Sequence, residues 1–500
     1  MKRTINFLPQ SIIIMEHENV KQNRTPLLDA MIAYKKKNCT PFDVPGHKYG
    51  RGAQELAEIF GEKALSLDFN SMKSLDMLSN PTSVIKEAET LLAEAYGADY
   101  GYFVVNGTSS AVKSMIMAVC KPGDKIIIPR NAHKSVVSAL IMSGAIPVYI
   151  QPEYDVKLGI FHGVDTEKAI NTINENTDAK AIFLINPTYY GAVSELKPIV
   201  EHAHKHGMAV LVDEAHGAHL RFHVDLPSSA MEAGADASAV STHKTGGSLT
   251  QSSAIVSRQG IIQESQIRKY LNINGTTSAS YLLMGSIDGA RKNLALNGTK
   301  MLQEALDIAR YARNEINKIP GFHAFGREII GRPGVYGFDE TKLVINSCKI
   351  GITGFELYDI LRDQYNIQME LGDAYNTLAV ISLGDTYESI QVLINALKHI
   401  AVTDYRNAKN INHLKNVGEL EVRMSPRDAF YSDTERIKLK ESVGRISCES
   451  IMAYPPGIPI ITPGEVITSE VVDYALHLKD NNALITDVED IELNYILVVR

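Results

Sequence analysis

The chain of 500 residues is 45% hydrophobic and 22% charged, too apolar for a disordered segment and long enough for about three units that each bury a core. Its 50 Lys and Arg against 58 Asp and Glu leave a net charge of −8, which argues against a general nucleic-acid binder, since phosphate neutralisation needs concentrated basic surface. Four dispersed cysteines, Cys39, Cys120, Cys348 and Cys448, form no C-x-x-C pair, so neither a zinc ribbon nor a disulfide framework is expected and a reducing compartment fits.

The first apolar clusters are broken by Pro9, Gln10 and Ser11 and followed by Glu16 and Glu18, unlike a secretory signal. No run approaches the roughly 20 apolar residues of a membrane span. The expectation is a soluble, cytoplasmic protein with neither membrane nor nucleic-acid partners. No fixed-period repeat is present, which sets aside solenoids and propellers.

From about residue 84 to 260, short apolar runs alternate with helical patterns. Ile85, Ala88, Leu92, Ala95 and Tyr96 recur at helical spacing before Gly97 stops the pattern. Strands are expected at 102–105, 125–128, 146–150, 181–185, 209–212 and 237–240, with helices at about 110–119, after His133 and at 195–206. These strand runs do not alternate polar with apolar, so both faces should be buried, as in a mainly parallel α/β sheet covered by helices. A long helix, about 280–319, leads into strand, helix, two strands (367–370 and 378–382) and helix, a smaller α+β unit. After the polar stretch 404–416, the prolines of 455–463 read as a rigid extended loop in a C-terminal unit.

In a parallel sheet the ligand lies beyond the carboxyl ends of the strands, so chemistry is sought there. Asn106-Gly107-Thr108-Ser109-Ser110 joins a strand to a helix, where Gly107 allows close approach and free N–H groups favour a phosphate; a Ser/Thr cap looks the same. His133, after another strand, has a ring that could lie on an aromatic cofactor. Asp213 ends an apolar run, where a carboxylate could keep a pyridinium nitrogen protonated. Lys244 lies among hydroxyls and glycines in Ser241-Thr242-His243-Lys244-Thr245-Gly246-Gly247, directly after a strand. A lysine there is placed to form an imine with an aldehyde cofactor. Each signal alone has an ordinary reading as a solvated or capping residue. Four strand ends carrying a hydroxyl loop, a ring, an acid and a lysine together point to pyridoxal 5'-phosphate.

The segment Ala239 to Ser253 resembles the attachment signature of the pyridoxal-phosphate Orn/Lys/Arg decarboxylases, with Ser241, His243, Lys244 and Gln251 in register. Asp213-Glu214-Ala215-His216-Gly217, Pro45-Gly46-His47-Lys48, Ser425-Pro426-Arg427-Asp428-Ala429-Phe430 and Tyr454-Pro455-Pro456-Gly457-Ile458-Pro459 are similar to further motifs of that family. The resemblance spans about residues 40–470. It implies the aminotransferase-like fold (fold type I): a large cofactor unit with a mainly parallel seven-stranded sheet, a smaller α+β domain and a C-terminal α+β domain. The expected divisions are 1–50, 51–310, 311–405 and 406–500.

By the same resemblance Lys244 carries the cofactor, Asp213 pairs with its ring nitrogen and His133 stacks on the ring. Gly107, Thr108, Ser109, Ser241 and His243 hold the phosphate, Ala215 and His216 line the cofactor face, and Thr276, with Thr277 and Ser278, completes the phosphate cup of a neighbouring subunit. The chain has no room for the receiver-like wing of the large members, which implies a homodimer or homotetramer. It looks like the short-form branch acting on arginine, so arginine leads as substrate, then lysine, then ornithine. Glu370, Asp373, Asp428 and Glu449 are the candidate receivers of the cationic substrate end. A transaminase would share the same spacing; only the family resemblance separates the reactions. A different class stays open in the histidines 202, 204, 206, 216, 219 and 223, which suggest a metal-dependent hydrolase, although H-E-x-x-H is absent and no metal is expected.

Overall fold

The computed structural model describes residues 21–403, 417–453, 457–480 and 483–500. The central sheet contains β1 (Tyr100–Val104), β2 (Lys125–Pro129), β3 (Ile146–Ile150), β4 (Ala181–Ile185), β5 (Ala209–Asp213), β6 (Ala237–Val240) and β7 (Ser253–Ser257). Their order is β1-β7-β6-β5-β4-β2-β3. Six strands share one direction, and β7 runs antiparallel to both its neighbours, β1 and β6. Six of the seven are the expected strands. The seventh, β7, is concealed by the hydroxyl-rich loop that runs straight into it.

The unbroken apolar character of the strands follows from burial on both faces. In β2, Ile127 enters the core on one side while Ile126 and Ile128 enter the core on the other; Val210 and Leu211 of β5 divide the same way. Helices α1 (Gly107–Val119) and α2 (Lys134–Ser143) follow β1 and β2 and cover the second face. Each therefore starts at the carboxyl edge of the sheet, where the candidate residues cluster.

Helix α3 (Tyr281–Ile316) is the mechanical link between two cores. Its first turns bury Tyr281, Met284 and Ile287 against the sheet, and its last bury Ile308, Ala309, Ala312 and Ile316 in a separate core. The expected division at 310/311 falls inside this helix. Nor do residues 21–50 stand apart: Leu27 and Met31 join the large core, and the Leu27 N–H donates to Asp288 on α3 at 3.0 Å.

The smaller core is built on an antiparallel sheet of the pair His323–Ala324, then β8 (Lys342–Asn346), β10 (Asn376–Val380) and β9 (Leu371–Gly372), in that spatial order. Helices α4 (Gly354–Tyr365) and α5 (Tyr387–Val402) pack on it. The strand expected at 367–370 is corrected to β9 at 371–372. The tight turn of Asp373 to Asn376 sets the register by pairing Leu371 with Leu378, so regular pairing begins only there. The C-terminal unit has a core of its own, including Ile451, Ile461, Val471 and Ile496, with α6 (Ser469–Asp480). The polar stretch 404–416 and Tyr454-Pro455-Pro456 lie outside the described residues.

The C-terminal unit is bolted to the strand edge by one buried ion pair. Arg130, just beyond β2, donates to both carboxylate oxygens of Glu465 at 3.0 and 2.8 Å and to the carbonyls of Pro459 and Ile460 at 2.8 and 2.9 Å. Its side chain is 12% exposed and that of Glu465 1%. Removing one partner of such a pair strands the other charge, so Glu465→Gln is expected to cost about 3–5 kcal/mol. Calorimetry should show an earlier unfolding transition; a melting curve coincident with the wild type would deny the pair this role.

Candidate active site

The carboxyl edge of the sheet, the Asp373 turn and the C-terminal unit together enclose a cavity of about 460 Å³. It is lined by Gly107, Thr108 and Ser109 at the start of α1, His133 at the start of α2, Asp213 at the end of β5, Ala215, His216, and then Ser241, His243 and Lys244 after β6. Residues separated by more than 130 positions thus meet because parallel strands deliver all their carboxyl ends to one side.

Lys244 is the focus. Its Nζ lies 2.8 Å from His216 Nε2 and 5.6 Å from the centroid of the Tyr189 ring. Burial lowers its pKa, while the charges of Asp213 and Glu370 oppose the shift. A lysine destabilised as an ammonium presents more free amine, the nucleophilic form. Asp213 is itself buried, and burial raises its pKa against the Ala215 N–H, donated at 3.0 Å, and the nearby Lys244 charge.

Two histidines flank the lysine as neutral bases. Burial and the Lys244 charge push His216 well below its ordinary range. Its Nδ1 is buried with no hydrogen-bond partner, so the interaction with Lys244 falls on Nε2 alone. The main-chain carbonyl of His216 is held by the buried Lys342, whose Nζ donates at 3.4 Å and pairs with Asp339 at 3.2 Å. His133 caps α2 through Nδ1, which accepts the Ser135 N–H at 3.2 Å. Burial first and Lys244 second bring its pKa down to about 4.

A polar cradle closes the other end. Thr108 Oγ1 meets Ser241 Oγ and, at 2.7 Å, Ser253 Oγ. The Gly107 N–H donates to the Gln251 carbonyl at 3.0 Å, tying the start of α1 to the Lys244 loop. His243 Nδ1 donates to the Ser252 carbonyl at 2.7 Å, which leaves Nε2 as its other polar atom. Next to Asp213, Glu214 accepts from the Ala230 N–H and Ser238 Oγ at 2.7 and 2.9 Å, and burial pushes its pKa up to about 8. It braces the strand end rather than lining the cavity.

The expected substrate carboxylates separate in space. Asp373 lines the cavity. Glu370 is exposed and accepts from the Tyr189 hydroxyl at 2.6 Å. Asp428 is exposed and accepts from Ser425 Oγ at 2.6 Å in the first turn of a short helix, and Glu449 is bracketed by the N–H groups of Leu497 and Glu489, each at 2.8 Å. Neither is among the residues that line the cavity of this chain: backbone donors claim Glu449, and the hydroxyl that caps its own helix claims Asp428. Thr276 is exposed, and its N–H donates to Asn106 Oδ1 at 3.3 Å, on the rim of the cradle.

Sequence reading missed the aromatic wall of Tyr154, Tyr189, Tyr190, Tyr375 and Tyr474. Tyr189 and Tyr190 follow the end of β4, so the strand-end rule carried a signal for them; Tyr474 comes from α6 and carried none. The histidines of the metal alternative are dispersed: His202 meets Asn174 at 2.8 Å, His204 meets Asp236 at 2.9 Å and His219 pairs with Asp339 at 3.2 Å. Among the described residues no group of three or more His, Cys, Asp or Glu is placed to hold a metal, and no helix is long and apolar enough to cross a membrane.

Comparison with known proteins places this architecture. Residues 25–389 match the major domain of the Orn/Lys/Arg decarboxylases and residues 409–485 match their C-terminal domain. An arginine decarboxylase of Bacillus subtilis is 44% identical over 486 residues, covering 96% of this chain and 99% of the relative. The solved lysine decarboxylase of Francisella novicida superposes with a TM-score of 0.83 at 22% identity, over 95% of this chain and 81% of that one. Ureidoglycine-glyoxylate aminotransferase of B. subtilis shares the fold more distantly, with a TM-score of 0.53 at 15% identity over 65% and 86% of the two chains. The seven-stranded sheet with one reversed strand is therefore the aminotransferase-like fold, and the chain belongs to the Orn/Lys/Arg decarboxylase family.

Proposed function

We propose that this decarboxylase holds pyridoxal 5'-phosphate on Lys244 and converts L-arginine to agmatine, a polyamine precursor, and carbon dioxide. The observation that carries the reading is the Lys244 amine, 2.8 Å from the neutral imidazole of His216 in a cavity that Asp213 also lines. The near-full-length similarity to bacterial arginine decarboxylases supports arginine over lysine and ornithine.

The donor set suits the cofactor. A buried carboxylate at a strand end matches a pyridinium nitrogen, so Asp213 would hold that atom and His133 would rest against the ring, with Ala215 and His216 lining its face. Gly107 has φ +74° and open space where a Cβ would stand, which leaves room for a phosphate beside the helix-start N–H groups and the hydroxyls of Thr108, Ser109 and Ser241. His243 would contribute from the Lys244 loop, and Thr276 of the partner subunit would close the cup in a homodimer or homotetramer. When bound, the cofactor supplies an electron sink for the bond that breaks.

The chain's own groups do the rest. With substrate bound, the Lys244 amine would be a free base at the cavity wall, able to take up a proton, and His216 Nε2 would accept a hydrogen bond from it. The carboxylate leaves as carbon dioxide and a proton takes its place at Cα. The cavity's aromatic and apolar walls lower the local polarity, which favours departure of a charged carboxylate as a neutral gas. We read the enzyme as cytoplasmic.

Pure protein supplied with pyridoxal 5'-phosphate and, separately, arginine, lysine and ornithine tests this. Agmatine should be the main product amine. Cadaverine or putrescine formed at a higher kcat/KM than agmatine would replace arginine as the substrate, and no amine from any of the three would remove the reading.

A further inference from the structure

Beyond Lys244 the cavity runs into a recess whose walls are phenol rings. Tyr154, Tyr190, Tyr375 and Tyr474 line it together with one carboxylate, Asp373. These residues come from four separate places: Tyr154 from the hairpin after β3, Tyr190 from beyond β4, Asp373 and Tyr375 from the turn between β9 and β10, and Tyr474 from α6. The charge of Asp373 acts on Tyr154, Tyr190 and Tyr474, whose hydroxyls are all held protonated by burial.

The two oxygens of Asp373 have different employment. Oδ1 accepts the N–H groups of Tyr375 and Asn376, both at 2.7 Å, and so builds the turn. Oδ2 accepts one short hydrogen bond, from the Tyr190 hydroxyl at 2.5 Å. Asn376 Nδ2 stands at 3.4 Å from both oxygens, long for a strong bond. A carboxylate oxygen has about two acceptor positions, so Oδ1 is filled and Oδ2 keeps one. A residue needed only for the turn would require Oδ1 alone, and solvent would serve the other oxygen.

Burial raises the pKa of Asp373, and its hydrogen-bond partners among the described residues are Tyr190, Tyr375 and Asn376, with no Lys or Arg among them. A cationic ligand supplies what is lacking. Phenol faces attract cations, and a guanidinium suits flat aromatic walls better than an ammonium because it is planar, weakly hydrated and able to stack while donating in its plane. Glu370 serves a different end: it is exposed, it is not among the residues that line the recess, and its charge acts on Lys244 and His243 while one of its oxygens accepts from Tyr189.

We propose that Asp373 Oδ2, framed by Tyr154, Tyr190, Tyr375 and Tyr474, is the subsite that receives the guanidinium end of the substrate and sets the preference for a cationic side chain. This deepens the arginine decarboxylase reading and rests on it. Citrulline, the neutral isostere of arginine, and agmatine, which has the guanidinium but no carboxylate, isolate the contribution.

The test uses the holoenzyme. Truncating one member of a buried charge pair weakens binding by about 30-fold or more, so Asp373→Asn should lower kcat/KM for arginine at least that much. Its preference for arginine over citrulline should largely vanish, while absorbance of the bound cofactor stays at the wild-type level. Calorimetry should show agmatine bound by the wild type and not by the variant. Tyr474→Leu, which leaves the Asp373 turn intact, should raise KM for arginine about 3-fold to 10-fold with little change in kcat, as expected for loss of one ring beside a cation. The proposal is overturned if folded, cofactor-loaded Asp373→Asn keeps arginine kinetics within twofold and the same arginine-to-citrulline ratio. It is equally overturned if the wild type binds no agmatine, or if Asp373→Asn fails to fold and Tyr474→Leu leaves the KM unchanged. Failure of the underlying reading looks different: no agmatine is formed from arginine by the wild type.

Discussion

Lys244→Ala is expected to fold, to bind pyridoxal 5'-phosphate only reversibly, and to lose at least about 10³-fold in kcat. The side chain ends in the cavity, and among the described residues its hydrogen bond is to His216, another cavity-lining side chain. Truncation therefore removes the amine without opening the core. Two measurements separate the outcomes: borohydride should fix the cofactor covalently to the wild type and not to the variant, and steady-state assays should find residual turnover only. Covalent fixation in the variant, or kcat within tenfold of the wild type, would move the attachment point elsewhere.

The second large effect is expected at Asp213. Asparagine keeps an oxygen able to accept the Ala215 N–H, so the local backbone should hold, while the negative charge proposed to face the cofactor's ring nitrogen is lost. Losing one preorganised electrostatic contact in a site of this kind lowers kcat by about 10²–10³-fold. Because the charge matters most as electrons move onto the ring, kcat and kcat/KM should fall together with little change in KM. The same substitution removes the charge that supports the Lys244 ammonium, so the lysine pKa should fall further. Unchanged kinetics in cofactor-loaded Asp213→Asn would deny the residue its partner role.

The architecture explains why these two residues were legible from sequence. Each sits at the end of an apolar run, and the rule that ligands gather beyond parallel strand ends turns a one-dimensional position into a spatial one. Asp213 and Lys244 end or follow β5 and β6, which are adjacent strands with Asp213 paired to Ala239. Thr108 and Ser241 are recoverable for the same reason, since β1 and β6 are separated only by β7. The strand β7 itself was not legible, because it begins and ends in serine and follows the hydroxyl-rich loop without a break.

Among the candidate substrate carboxylates sequence had no means to choose. Glu370, Asp373, Asp428 and Glu449 are all acids in family-like segments, and nothing local distinguishes a carboxylate whose acceptors are taken by nearby N–H groups from one with a position to spare. Glu449 is consumed by such donors, and Asp428 accepts from the neighbouring Ser425 hydroxyl. Asp373 is partly consumed too, but the turn it builds places its second oxygen among rings from remote elements.

By itself, then, the sequence determined the strand-and-helix alternation, the buried parallel sheet and the residues at its carboxyl edge, because hydrophobic periodicity and strand-end position are properties of contiguous residues. Tertiary structure alone decided the reversed strand, the Arg130 and Glu465 bolt and the tyrosine recess around Asp373. Those depend on which distant segments meet, and that is settled by packing the faces of separate units against one another rather than by any local pattern.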